Sequence, residues 1–262
     1  MAEHLTHGWE PELEVGDSLL RRYVHAVGDR VAFMAEVAGG CVERADDVVL
    51  GDAGSPAPYD NGAVLLQPPE ICDIDDVVQR LDEAVPASRG FVLLSAWTLP
   101  DLRRFGLELM GHPPLMFRPA GGDAPATPPG LDIVEVRTHD ERATFARALT
   151  EGYPMPGGDD GPFGRDDVLA GPLRLYLGMV DGKPVATAGA CVAHGLNDVE
   201  WVSTMPDARR QGYGEALTWA ATFADRSLPS ALIASDLGQA IYERMGYVKL
   251  LRMTLWWRPP QT

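Results

Sequence analysis

Six consecutive residues, Arg209-Arg210-Gln211-Gly212-Tyr213-Gly214, stand between an apolar run ending at Thr204 and a stretch with helical patterning. A strand that turns into a helix there presents backbone N–H groups with no partner inside the helix, and the helix dipole adds partial positive charge at the same end. Such a turn is a seat for phosphate oxygens. Glycines at 212 and 214 let the backbone approach a ligand where a Cβ would collide. Arg209 and Arg210 add charge and donors suited to phosphate. The spacing excludes two common phosphate loops. A dinucleotide fingerprint needs a third glycine three residues after the second, and that position is Leu217. A P-loop ends in Gly-Lys-Ser or Gly-Lys-Thr, and no lysine is near. The residues therefore predict a pyrophosphate-binding turn of another kind.

Proton-transfer candidates lie upstream. Glu200 shares a strand face with Val202 and Thr204 under two-residue alternation. Its neighbours Val199, Trp201 and Val202 would desolvate the carboxylate and raise its pKa toward that of a useful base. The competing reading is a solvent-facing carboxylate on a strand edge. His194, in the turn before the strand, offers a proton shuttle, or is simply a solvated turn residue.

The Arg-x-x-Gly-x-Gly spacing, with an apolar strand and Met205-Pro206 before it, resembles the acyl-CoA pyrophosphate loop of the GNAT superfamily of N-acyltransferases. A second segment agrees with it. Asp236 to Tyr247 resembles the last helix of that family, which ends in Tyr-x-x-x-Gly and an aromatic residue, here Tyr242, Gly246 and Tyr247. The resemblance covers residues 131–257. It implies a mixed α/β (α+β) chain with the GNAT fold, a central, mostly antiparallel twisted sheet flanked by helices. It also implies acetyl-CoA as acyl-donor co-substrate and no metal. Val202, Ser203 and Thr204 would lie along the thioester arm, and Arg209, Arg210, Gln211, Gly212, Tyr213 and Gly214 would hold the pyrophosphate. Ser235 stands where the family often has an asparagine that meets the pantetheine arm. Tyr242 would be the general acid, with a tyrosine packed between helix and sheet as the alternative. The implied activity is acetyl transfer to the primary amine of a small molecule. Its rivals are a non-catalytic acyl-CoA-binding sensor and a protein-lysine acetyltransferase.

The elements that must position these groups follow from periodicity and turn chemistry. Residues 121–130, all Gly, Pro, Ala, Thr and Asp, read as a linker between a domain over 1–120 and a catalytic domain over 131–262. After the linker come a strand at 131–136, a helix at 139–151 and a strand at 173–180. The Asp181-Gly182 hairpin signal leads into a strand at 183–193, and a third strand enters the phosphate turn. A helix from 214, a buried strand at 231–234, the Tyr242 helix and one long apolar strand over 247–257 complete the half. Its part from Leu251 to Trp257 has the character to pair across a homodimer, so monomer and homodimer both remain open. Pro154 to Pro162 reads as a surface loop and a lid candidate. The first half repeats the order faintly: a helix over 17–37, strands at 48–51 and 63–67, a helix over 73–84, a strand at 91–95, a helix over 100–110 and a strand at 115–118. It is either a degenerate GNAT-like half without the phosphate turn or an unrelated α/β accessory domain.

Composition sets the outer bounds. The 262 residues are 45% hydrophobic and 23% charged, as in a globular chain with a real core. The net charge is −16, of which residues 1–130 carry −12. That acidity argues against nucleic acid as a partner and favours approach of a cationic amine, or serves solubility alone. Cys41, Cys72 and Cys191 have no metal or redox spacing. With no signal-peptide pattern and no span-length apolar run, the expectation is a cytoplasmic protein without membrane contact.

Overall fold

The computed structural model describes residue 9 and residues 13–153 and 161–261. The first half runs α1 (Leu19–Ala38), β1 (Cys41–Arg44), β2 (Val48–Asp52), β3 (Asn61–Leu65), α2 (Ile74–Ala84), β4 (Phe91–Ser95), β5 (Glu108–Gly111) and β6 (Pro114–Arg118). The second runs β7 (Asp132–Glu135), α3 (His139–Gly152), β8 (Leu173–Val180), β9 (Lys183–Ala193), β10 (Leu196–Thr204), α4 (Tyr213–Thr222), β11 (Ser230–Ile233), α5 (Asp236–Arg244), β12 (Val248–Arg252) and β13 (Thr254–Arg258).

Local chemistry sets several of these boundaries. Thr138 Oγ1 accepts the Glu141 N–H at 3.3 Å while the Glu141 carboxylate accepts the Thr138 N–H at 3.0 Å, a reciprocal cap that starts α3. Gly39, at φ 76°, ends α1 with its N–H on the carbonyls of Ala35 and Glu36. Asp181 and Gly182 both have positive φ, as the tight hairpin between β8 and β9 requires.

The strands form two sheets, ordered β1-β2-β3-β4-β13-β5 and β12-β6-β11-β10-β9-β8-β7. Each is antiparallel except for one parallel pair joined through a helix, β3 to β4 through α2 and β10 to β11 through α4. Each also holds one strand from the other half. β6 pairs with β11 and β12 in the second sheet, and β13 pairs with β4 and β5 in the first. Residues 121–130 thus join two strands of the same sheet, β6 and β7, and the chain passes between the sheets at β5–β6 and at β12–β13.

This exchange corrects two expectations. The apolar run 247–257 is not one strand. It breaks at the fully buried Met253, and its two parts enter different sheets. Residues 254–258 are paired on both sides within the chain, whereas 248–252 form an edge strand of the second sheet. The helix expected over 100–110 is also absent. Arg103–Phe105 make a single 3-10 turn, Gly106 at φ 75° stops it, and Glu108–Gly111 become an edge strand on β13. Apolar spacing suggested a helix there, but the left-handed glycine in mid-segment cannot continue one. β1, short and at the sheet edge, escaped the periodicity reading.

Helix α1 packs on β2 and β3 of the first sheet and on β9 and β10 of the second. Its Tyr23, Val24 and Val27 share a core with Leu115, Leu196, Ala231 and Met253, while Met34 reaches the core beneath α3. Among the described residues no helix is long and apolar enough to cross a membrane.

Candidate active site

β10 is the backbone of the site. Its register with β9 is regular from Leu196 to Glu200 and resumes at Ser203, with a bulge between. Trp201 takes φ 54°, costly for a bulky residue and a local driver of the bulge. Thr187 Oγ1 donates to the Trp201 carbonyl at 2.8 Å and lies 2.8 Å from Ser203 Oγ, which braces the distortion. On the other side, β10 pairs with β11 only at Asn197 and Asp198. From Val199 onward the two strands part.

The bulge overturns the alternation predicted for Glu200, Val202 and Thr204. Val199 and Val202 belong to the core beneath α4 and α5, and Thr204 Oγ1 faces Gly214. Trp201 belongs to the core beneath α3, and Ser203 Oγ faces Gly152 on the same side. Glu200 is turned toward α1. One extra residue in the strand reverses the faces that follow it.

The turn after β10 divides the roles of its residues. Arg209 donates from Nε to the Thr204 carbonyl at 3.3 Å and from Nη2 to the Gly152 carbonyl at 3.2 Å, which ties the turn to the C-terminal end of α3. A cation there also suits the helix dipole. Arg210, at φ 64°, and Gln211 are exposed. Gly212 takes φ 83° as the N-cap of α4, and no side chain caps that helix. The first-turn amides that begin at Tyr213 are the anion seat read from sequence. Gly214 also has a packing reason that the motif did not show. A Cβ there would lie 2.6 Å from Thr204 Oγ1, so its lack of a side chain serves the approach of α4 to β10.

α5 borders the parted strands. Ser235 Oγ accepts the Gly238 N–H at 3.2 Å, so this residue caps α5. Tyr242, 8% exposed, packs over Gly238 and edge-on to Tyr247 at 6.1 Å. Burial pushes its phenol up to about 12, with a further push from the charge on Glu200. It stays protonated at neutral pH and can donate. Gly246, at φ 87°, closes the helix as its motif predicted.

Glu200 meets a partner from the other half of the chain. Arg30 of α1 donates from Nη2 to Glu200 Oε1 at 2.8 Å and from Nε to Asp198 Oδ2 at 2.7 Å. Desolvation raises the Glu200 carboxyl, Arg30 lowers it and Asp198 raises it again, for a net position of about 7. Asp198 is also raised, chiefly by desolvation. Trp201 flanks the group, 5.2 Å edge-on from Phe163 and 5.8 Å from the Arg30 guanidinium. Sequence reasoning missed Arg30 and Asp198. Asp198 reads as the end of a turn, and nothing local in α1 marks Arg30.

His194 is not brought to the parted strands. Its Nε2 lies 2.8 Å from Asp29 of α1, Arg22 donates to its carbonyl at 2.9 Å, and the same guanidinium binds the Gly195 carbonyl. The turn is a docking point for α1. The lid candidate, Pro154 to Pro162, falls largely outside the described residues. Among the described residues no cluster of three or more His, Cys, Asp or Glu could hold a metal.

No family model matches the chain, and no curated protein sequence matches it. Solved structures do, over nearly its whole length. A GCN5-related N-acetyltransferase from Kribbella flavida is 21% identical with a TM-score of 0.64, over 89% of this chain and 96% of that one. A protein of the GNAT family from Novosphingobium aromaticivorans is 20% identical with a TM-score of 0.58, over 91% and 100%. A GCN5-related N-acetyltransferase from Sphaerobacter thermophilus is 17% identical with a TM-score of 0.55, over 90% and 92%. With its parallel pair parted at a bulge and running into an uncapped helix, the chain has the fold of the GCN5-related N-acetyltransferases.

Proposed function

We propose that this protein is an acyl-CoA-dependent N-acyltransferase that moves an acetyl group from acetyl-CoA to the primary amine of a small molecule. The observation that carries the reading is the slot between β10 and β11. It begins after Asp198, runs along the bulged segment and ends at the amides of an α4 that no side chain caps. A phosphorylated ligand with an extended polar arm fits that shape, and acetyl-CoA supplies the activated thioester.

In this reading the first-turn amides of α4 hold the pyrophosphate, with exposed Arg210 beside them. Backbone groups of Val202 to Thr204 pair with the arm and polarise the thioester carbonyl. Glu200 takes a proton from the incoming ammonium, so that the amine nitrogen carries a free electron pair. The nitrogen forms a bond to the carbonyl carbon as the carbon–sulfur bond breaks. Tyr242 gives its proton to the departing thiolate, the newly acylated nitrogen sheds its surplus proton to solvent to become the amide, and Tyr242 regains a proton from solvent. Holding both reactants in one slot supplies much of the acceleration.

The test is calorimetric titration with acetyl-CoA and CoA, followed by thiol release against a panel of amines. Micromolar CoA binding with amine-dependent thiol release upholds the reading. Binding without turnover on any amine points to a sensor instead. Absence of binding overturns the phosphate-turn assignment itself.

A further inference from the structure

The catalytic features above belong to the second half, yet one charged side chain at the site comes from the first. Arg30 lies just past the middle of α1, the helix packed between the sheets. Its guanidinium spans two carboxylates two residues apart on β10, at 2.7 Å and 2.8 Å. The two are unequally accessible. The Asp198 side chain is 0% exposed, that of Glu200 is 27% exposed, and Arg30 is 15% exposed. Asp198 is thus a buried anchor and Glu200 is the reachable end. The other ionisable groups that act on the cluster are Tyr23 from α1, Cys191 from β9 and Tyr242 from α5. All three are neutral at neutral pH, with their protons held on by burial, so they do not offset the carboxylates.

Resting on the acyltransferase reading, we propose that Arg30 is a positioning residue for Glu200. Its guanidinium is shared with Asp198, so it fixes one Glu200 oxygen and leaves the trio one uncompensated negative charge, the seat of a cationic amine acceptor.

The physical argument is one of division. A carboxylate with an arginine to itself is held ionised and is a weak base. An arginine whose charge is divided with a second, fully buried carboxylate holds the first one less firmly. Glu200 Oε1 is occupied by Arg30, so Oε2 is the atom that accepts the acceptor's proton. The planar fork matters as much as the charge. Nε and Nη2 lie at a fixed separation that spans Asp198 and Glu200 together, and a lysine ammonium cannot reproduce it. The raised carboxyl of Glu200 is consistent with this arrangement.

The experiment combines pH–rate profiles with a carbon-13 titration of the Glu200 carboxyl. Asp198→Asn gives the whole guanidinium to Glu200. The acid limb of kcat/KM should move about one unit to lower pH, and KM for the amine should rise several-fold with KM for acetyl-CoA unchanged. Arg30→Gln should move the limb the opposite way, to higher pH, and Arg30→Lys should not restore the wild-type profile. A structural role alone would move neither limb, or both in the same direction, and either result overturns the proposal. Should Arg30→Gln not fold because Asp198 is left unpaired, Arg30→Gln with Asp198→Asn removes both groups, and Glu200 should then titrate above its position in Asp198→Asn. The carboxyl titration needs no turnover. Opposite carboxyl shifts beside unmoved pH–rate profiles would show that Glu200 is not the base, and that overturns the proposal. Absence of CoA binding in the wild type would instead sink the reading on which the proposal rests.

Discussion

Both halves of the molecule build one junction, a strand, a helix and a parallel strand, and only one of them opens. Between β3 and β4 the pairing runs through Gly62, Ala63 and Val64, and a Cβ at Gly62 would collide with the Val92 carbonyl. No bulge interrupts the register of β3 with β2. The helix that follows is already satisfied, since Asp73 accepts the amides of Asp75 and Asp76, and both of those residues add negative charge to its first turn. Between β10 and β11 the pairing stops after two residues, and the next helix begins at a glycine with no side-chain cap. Element order is common to the two. One residue of extra strand and one missing cap separate a closed junction from the open one proposed to take the ligand.

The comparison can be broken from its open side first. Gly212→Val forces a β-branched residue into φ 83° at the mouth of α4. Combined with Arg209→Ala, it should weaken CoA binding on the order of 100-fold, the value of one or two charge-assisted hydrogen bonds. Calorimetry checks this, and retained micromolar affinity would refute the slot. Glu200→Gln should lower kcat by about 100-fold or more. A base that titrates near 7 also predicts the shape of the wild-type profile. Below that pH Glu200 carries a proton, so the rate falls as pH drops, and the limb disappears in the variant. Tyr242→Phe should cost about tenfold in kcat, less than the loss of the base because a thiolate leaves readily. CoA affinity should be unchanged, and unchanged turnover would remove Tyr242 as the acid. The smallest effect is expected on the closed side. Asp75→Asn with Asp76→Asn removes the repulsion at α2 but leaves β3 zipped to β4. The stoichiometry should stay at one CoA per chain, and a second bound CoA would mean that charge alone had closed that junction.

The turn at Gly212, the Tyr242 helix and the second-half elements were legible because each has a local cause. A left-handed glycine, a capping pair at Thr138 and Glu141, and a two-residue hairpin all act within a few residues. The bulge was not legible. Positive φ at Trp201 has no signature in the residue type, and strict alternation is the default for a strand. Gly214 has a structural reason that its motif did not reveal, since a Cβ there would lie 2.6 Å from Thr204 Oγ1. Arg30 and its two carboxylates lie about 170 residues apart in sequence. Their pairing depends on where α1 settles between the sheets, which no window of sequence contains. The break at Met253 was hidden for a similar reason, because apolar residues continue on both sides of it.

The reciprocal seating of β6 and β13 has a consequence for biosynthesis. β4 leaves the ribosome roughly 160 residues before its neighbour β13, an interval of about 8–30 s at ordinary elongation rates. Throughout that time the side chains of Leu93 and Leu94 can pack under α2 and α1, but the backbone edge of β4 stays unpaired. The nascent first half therefore carries an open strand edge, an aggregation hazard, until β13 is made. Synonymous codons that slow elongation between the two strands should lower the yield of folded protein, although every residue of the product is the same.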